Sequence, residues 1–236
     1  MIRSLAQLPH PFTEINHNRA PLGRYAPFNI ANLMSVQQRE RLVASMLGRE
    51  GLSDLRGMEI LDVGCGSGGL FLRLMSWGVD ARSLHGIDLQ RDRVKSAQGI
   101  HPDLNVVEGN ADSLPWGDRR FDVVTQFTTF TSILDDGVRR RAAQEIDRVL
   151  KPGGRVLWYD FWINPTNPRT RPLRAKEVKR LFSGYRAQLR RVTLAPPIAR
   201  IVAPRGQLVA AILERIWFLQ SHVLGVLTKP PAEGGR

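Results

Sequence analysis

The residues with the most chemical content fall in one short stretch, Ile60-Leu61-Asp62-Val63-Gly64-Cys65-Gly66-Ser67-Gly68-Gly69, where an apolar strand runs into a glycine-rich turn that opens a helix. Glycines there let the chain turn sharply and let a ligand come close to the backbone. Gly64, Gly66 and Gly69 also fit the dinucleotide pattern GxGxxG, which by itself demands only a tight turn. Asp62 shifts the balance. A carboxylate two residues before the first glycine suits a cationic amino-acid moiety and repels a pyrophosphate, which favours S-adenosylmethionine (SAM) over NAD.

Further along, Gly86-Ile87-Asp88-Leu89 reads as a second strand that leaves Asp88 at the carboxyl edge of a sheet, where it can accept from both hydroxyls of a ribose. NAD enzymes share that feature. A third strand ends in Val107-Glu108-Gly109-Asn110-Ala111-Asp112, where Asn110 or Asp112 can bond an adenine amino group and the Ala111 amide a ring nitrogen. Leu150-Lys151-Pro152-Gly153-Gly154 reads as a helix stop and tight turn feeding the strand Arg155 to Asp160.

These residues need a scaffold. From Met58 to Trp162 short apolar runs alternate with amphipathic segments, the pattern of a parallel sheet covered by helices. Upstream, Val36, Leu42, Val43, Met46 and Leu47 form one stripe of a helix from Ser35 to Arg49, with Ser35 suited to the N-cap. Downstream the sequence predicts a short helix around Arg174 to Phe182, a strand in AQLRRVTLA, a helix around Gly206 to Gln220 and a last strand in HVLGVLT. The apolar side chains of that second helix (Leu208, Val209, Ile212, Leu213, Ile216, Trp217) suit core packing, with a lid, a dimer contact or a membrane-surface patch as other uses. The expected fold is α/β: a Rossmann-like, doubly wound, mostly parallel seven-stranded sheet with a C-terminal antiparallel strand and helices on both faces. Within one domain, 1–50 would form a helical flap, 51–165 the cofactor core, and 166–236 a basic acceptor-side region holding the last two strands.

In this order the motifs resemble the class I SAM-dependent methyltransferases, in particular a large bacterial group with the pattern LDVGCGSG, GIDL, GxAxxLP, FDVV and LKPGG; the resemblance covers Met58 to Tyr159. It implies SAM as cofactor, held by Asp62, Gly64, Cys65, Gly66, Gly68, Asp88, Leu89, Asn110, Ala111 and Asp112. Phe121-Asp122-Val123-Val124-Thr125-Gln126-Phe127 looks like the family's fourth strand, which puts Gln126 and Phe127 at the reaction zone. That group has aspartate where this chain has Asn110, whose amide oxygen can still accept from an adenine amine. A narrower resemblance, in Tyr25, Phe28, Asn29, WYDFW, LAPPIAR and a histidine beside the last strand, is to methyltransferases of bacterial polysaccharide and secondary-metabolite clusters. There Tyr25 either reaches the cofactor carboxylate or packs the flap.

Methyl transfer from a sulfonium is an in-line displacement, so positioning and exclusion of water dominate. An alcohol acceptor would gain from a general base, and Tyr159, Asp160 and His222 are candidates. Each has a plainer alternative: Asp160 as a turn stabiliser, His222 as a hydrogen-bonded core residue.

Net charge is +12, and residues 151–236 hold 16 basic against 4 acidic side chains. The run Arg169, Arg171, Arg174, Lys176, Lys179 and Arg180 is either a solvated face or the border of a site for an anionic small-molecule or sugar acceptor. No aromatic residues interleave for base stacking and no NPPY tetrapeptide is present, so RNA or protein methylation stands as the alternative. An NAD oxidoreductase and a SAM-binding regulator rank lower. One cysteine, Cys65, excludes an intramolecular disulfide; no metal cluster is evident and none is expected. The N-terminus lacks a signal h-region and Glu214 and Arg215 interrupt the longest apolar run, so no transmembrane segment and a cytoplasmic location are expected, with a homodimer left open.

Overall fold

A computed structural model describes residues 28–232. Strands β1 (Ile60–Val63), β2 (Leu84–Asp88), β3 (Asn105–Glu108), β4 (Phe121–Phe127), β5 (Leu150–Phe161), β6 (Arg186–Leu194) and β7 (Gln220–Thr228) form one sheet in the order β3-β2-β1-β4-β5-β7-β6. β1 and β2 are buried along their whole length, so both of their faces need helices above them. Helices α1 (Ile30–Arg49), α2 (Gly69–Ser76) and α3 (Arg91–Gln98) cover one face; α4 (Asp136–Val149) and α5 (Ala175–Leu181) cover the other. β7 alone runs against its neighbours, antiparallel to both β5 and β6. This is the mostly parallel, doubly wound Rossmann-like sheet that the sequence predicts.

Several boundaries differ from the sequence reading. α1 begins at Ile30, not Ser35, because the Asn29 side chain accepts from the Asn32 N–H; Ser35 lies inside the helix and donates to the Ala31 carbonyl. Lys151 to Gly154 do not stop short of β5 but form a bulge within it: the register to β4 passes from Leu150 opposite Phe121 to Arg155 opposite Val123, and Gly153 takes φ 75°. The PPIAR segment, read as part of a motif only, forms a further helix, α6 (Pro196–Val202), and α7 (Gln207–Leu213) ends well before Gln220. Core packing holds for Leu213 but not for the other large side chains of α7: Leu208 is 76% exposed and Ile212 55%. α6 and α7 bridge the end of β6 to the start of β7 and pack through small residues (Ala199, Ala203, Ala210) on Ala31 of α1 and Leu194.

Glu50, at the C-cap of α1, braces the edge of the sheet. Its carboxylate accepts from Arg186, from Gln188 Nε2 at 2.6 Å and from Thr228 Oγ1 at 2.9 Å. Beside it β7 is threaded tightly between its neighbours, for a Cβ on Gly225 would lie 2.3 Å from the Gln188 carbonyl oxygen and 2.4 Å from Leu189 Cδ2. Gly225→Ala is expected to cost about 1–3 kcal/mol through this overpacking, read as a lower thermal midpoint; an unchanged midpoint would mean that β6 moves aside freely.

Candidate functional site

The turn after β1 is built on left-handed backbone, with φ of 74° at Gly64, 56° at Gly66 and 81° at Gly68. Two of these glycines are needed for packing: a Cβ on Gly64 would meet Thr129 Oγ1 at 2.1 Å, and one on Gly68 would meet Ile100 Cδ1 at 2.6 Å. Gly66 differs, since a Cβ there meets nothing within 4 Å and would project into open space. Asp88 holds the turn from β2, accepting the Gly66 N–H on Oδ2 and the Gln90 N–H on Oδ1, each at 2.9 Å. Cys65 contributes backbone, because its thiol is buried against Gly86 and Phe71 and burial raises its pKa. Leu89, just past Asp88, is partly exposed.

On the α1 side of the sheet a row of polar and aromatic groups crosses the carboxyl edge. Asp62 is buried and accepts from Thr125 Oγ1 at 2.6 Å. Burial pushes its carboxyl up to about 7; the Thr125 hydrogen bond and the Arg39 charge oppose this, and the Asp88 charge adds to it. Arg39, from α1, places its guanidinium 5.1 Å from the centre of the Phe127 ring and 5.2 Å from that of Tyr159. Between α1 and α2, along the whole length of α2, lies a cavity of about 480 Å³ whose lining runs from Gly69 to Trp77 and includes Val36, Arg39, Val43 and Phe127. Tyr159 stacks on His222 with ring centres 4.5 Å apart, and its hydroxyl hydrogen-bonds Thr193 Oγ1 at 3.0 Å. Burial raises the Tyr159 pKa and drives that of His222 down to about 3, so the imidazole is neutral, its Nδ1 beside Ser221 Oγ.

Other candidates are placed elsewhere. Asp160 points to the opposite face from Tyr159 and His222, where its oxygens accept the N–H groups of Thr131 (3.0 Å) and Phe161 (2.8 Å). Burial raises its pKa to about 7. Gln126 and Phe127 likewise part: Gln126 is fully buried, its Oε1 accepts the Thr129 N–H at 3.3 Å, and its Nε2 has no partner. Arg141 donates two hydrogen bonds to Asp112 Oδ2, in the turn after β3 that also carries Asn110 and Ala111. Tyr25 lies outside the described residues. Among the described residues no group of acidic, histidine and cysteine side chains could hold a metal ion.

The structure adds residues that sequence reasoning passed over. Arg39 interrupts the apolar stripe between Val36 and Val43, and that misplaced charge is the signal that could have exposed it. Thr128 (φ 62°) and Thr193 (φ 66°) are β-branched residues in the left-handed region, strained by about 1–3 kcal/mol each, and both bond Tyr159: Thr128 through its N–H to the carbonyl, Thr193 through its hydroxyl. No local sequence signal marks them.

Residues 60–154 match the family model of a methyltransferase domain. The chain is 36% identical over 125 residues to the glycine/sarcosine/dimethylglycine N-methyltransferase of Actinopolyspora halophila, a match covering 51% of this chain and 21% of that protein. It is 30% identical over 159 residues to the chloroplastic 2-phytyl-1,4-beta-naphthoquinone methyltransferase of Arabidopsis thaliana, covering 62% and 58%. It thus spans less than two thirds of either relative. In fold it is similar to a SAM-dependent methyltransferase from Archaeoglobus fulgidus, with a TM-score of 0.54, 21% identity, and coverage of 84% and 98%.

A neutral buried histidine has a signature in stability. Because the folded pKa of His222 lies near 3 and the unfolded one near 6.5, only the unfolded chain takes up this proton as pH falls below 6.5. Relative to His222→Phe, the wild type should lose about 1.4 kcal/mol of stability per pH unit from about 6 downwards, measured by denaturant unfolding. Parallel pH profiles for the two proteins would contradict this.

Proposed function

We propose that this chain, a member of the class I SAM-dependent methyltransferase family, transfers the methyl group of SAM to a negatively charged small-molecule acceptor. The observation that carries the reading is the left-handed turn Gly64 to Gly68, tied to Asp88 and preceded by buried Asp62, within a segment that matches a methyltransferase domain. The residues fit the cofactor. Open space at Gly66 leaves room for a ligand against the backbone, and the carboxyl groups of Asp62 and Asp88 stand beside the same turn. When bound, SAM supplies a sulfonium whose methyl group departs to a nucleophile and leaves a neutral thioether.

The chain's own residues then bind and align. Asp88, already oriented by two N–H groups, keeps lone pairs for ribose hydroxyls. Asp62 and the backbone of the glycine turn serve the amino-acid end, where ionised Asp62 accepts from the ammonium and Arg39 suits the carboxylate. Asn110, Ala111 and Asp112 serve the adenine, with Leu89 packed beside it. Phe127, Tyr159 and His222 form a dry aromatic wall for the acceptor. Tyr159 acts there as a neutral hydroxyl held by Thr193, and Asp160 positions the turn after β4 without touching the reacting atoms.

A negatively charged acceptor is supported by the surplus of 16 basic over 4 acidic side chains in residues 151–236, a field that steers anions toward this half of the molecule. The same surplus carries the alternative, an RNA or protein acceptor.

Calorimetric titration with S-adenosylhomocysteine beside NAD tests the cofactor assignment. Adenosylhomocysteine should bind, and Asp88→Ala should weaken it about tenfold or more; binding of NAD alone would overturn the reading. The pH dependence has a defined sign. With the Asp62 pKa near 7 in the free protein, the ammonium binds best once that carboxyl has lost its proton. Affinity should therefore rise with pH up to about 7 and level off, and Asp62→Asn should flatten the profile.

Gly66→Ala offers a separate check, since its methyl group enters space that the fold leaves open. The thermal midpoint should fall only by the equivalent of about 1–2 kcal/mol from the left-handed backbone, while adenosylhomocysteine binding is lost; retained binding would remove the ligand from this turn.

A further inference from the structure

Large apolar side chains are left in water in one part of the molecule. Between residues 201 and 218, Ile201, Leu208, Val209, Ile212, Trp217 and Phe218 are each more than half exposed. On α7 small Ala210 is buried and Leu213 packs inward, whereas Leu208 and Ile212, one helical turn apart, face out. Soluble monomers rarely leave so many large apolar side chains uncovered within one short segment unless something docks there. The segment also stands at the carboxyl edge of the sheet, because α6 and α7 join the end of β6 to the start of β7, and Trp162, just past β5, bonds the Gln220 carbonyl.

The flank of this face is cationic. The Arg191 guanidinium lies 4.0 Å from the centre of the Trp162 ring and 5.1 Å from that of Trp217, which links the apolar tip to a cavity of about 540 Å³. Arg174, Lys176, Arg190 and Arg191 line that cavity. The ion pairs of the neighbourhood are Arg171 with Asp136 and Arg186 with Glu50, and none among the described residues reaches those four cations.

We propose that the face formed by α6, α7 and the Trp217–Leu219 turn docks on an anionic lipid bilayer. The exposed apolar side chains enter the boundary between headgroups and acyl chains, and the four cations of the adjoining cavity take lipid phosphates. Short apolar helices flanked by basic residues, with aromatic rings at their tip, have the composition of an interfacial anchor. Charge selects the occupant: a second copy would set a +12 molecule against another +12 molecule, whereas an anionic surface complements it. No helix among the described residues is long and apolar enough to cross a membrane, so the contact lies in the plane of the surface. The proposal does not rest on the methyl-transfer reading, since it concerns a surface that can be tested without turnover.

The test is flotation of the full chain with phosphatidylcholine vesicles and with phosphatidylcholine–phosphatidylglycerol vesicles, beside analytical sedimentation without lipid. The chain should float with the anionic vesicles, stay behind with the zwitterionic ones, and be released by salt. Ile212→Asp with Trp217→Ser, and separately Arg190→Glu with Arg191→Glu, should each lower the vesicle-bound fraction about tenfold or more. A thermal midpoint confirms that each variant is folded. Failure to float, equal flotation of wild type and both variants, or a dimer in sedimentation that Ile212→Asp with Trp217→Ser dissolves would each overturn the proposal.

Discussion

Backbone N–H groups that leave the end of a parallel strand have no ladder partner, and burying them unpaired is costly. At the carboxyl edge of this sheet the requirement is met in several loops by buried side-chain oxygens. Asp88 accepts from Gly66 and Gln90, Gln126 from Thr129, and Asp160 from Thr131 and Phe161. Thr129 returns a hydrogen bond from its hydroxyl to the Val63 carbonyl, joining the loop after β4 to the end of β1. The loops that would surround a ligand are thus fixed to one another before any ligand arrives, which is the preorganisation that alignment of a displacement demands.

The same economy explains why the two buried carboxyls differ in use although burial raises both to about 7. Asp160 has its two oxygens occupied by backbone donors on the α4 side, so its chemistry is spent on holding a turn. Among the described residues Asp62 receives the Thr125 hydroxyl alone, and it faces the α1 side, where Arg39, Phe127 and Tyr159 gather. Proximity in sequence told against this distinction: Tyr159 and Asp160 are neighbours, yet alternate residues of a strand face opposite layers.

The fold was legible because its signals are local. Apolar runs ending in glycine or aspartate gave β1 and β2, and the alternation from Met58 to Trp162 gave the doubly wound sheet. The glycine turn and Asp88 were legible for the same reason, since only certain residue types tolerate φ near +60° or cap a loop. What stayed hidden depends on tertiary contact. Arg39 reaches the site only because α1 packs across the sheet close enough to bring its guanidinium over the Phe127 and Tyr159 rings, and the strain at Thr128 and Thr193 follows from what they hold. The outward Leu208 and Ile212 read as core because periodicity gives a stripe without saying which layer, if any, covers it.

The strand order has a consequence for how the molecule is made. β5 pairs with β7, and β6 reaches the sheet only through β7, which follows all the other strands of the described residues. As the polypeptide leaves the ribosome, the β3-to-β5 half can close on nearby segments, while β6 waits without a partner until residues 220–228 emerge. Until then Tyr159 lacks both the His222 ring and the Thr193 strand that enclose it. The aromatic wall is therefore a late assembly product, completed only when β7 slots between two earlier strands.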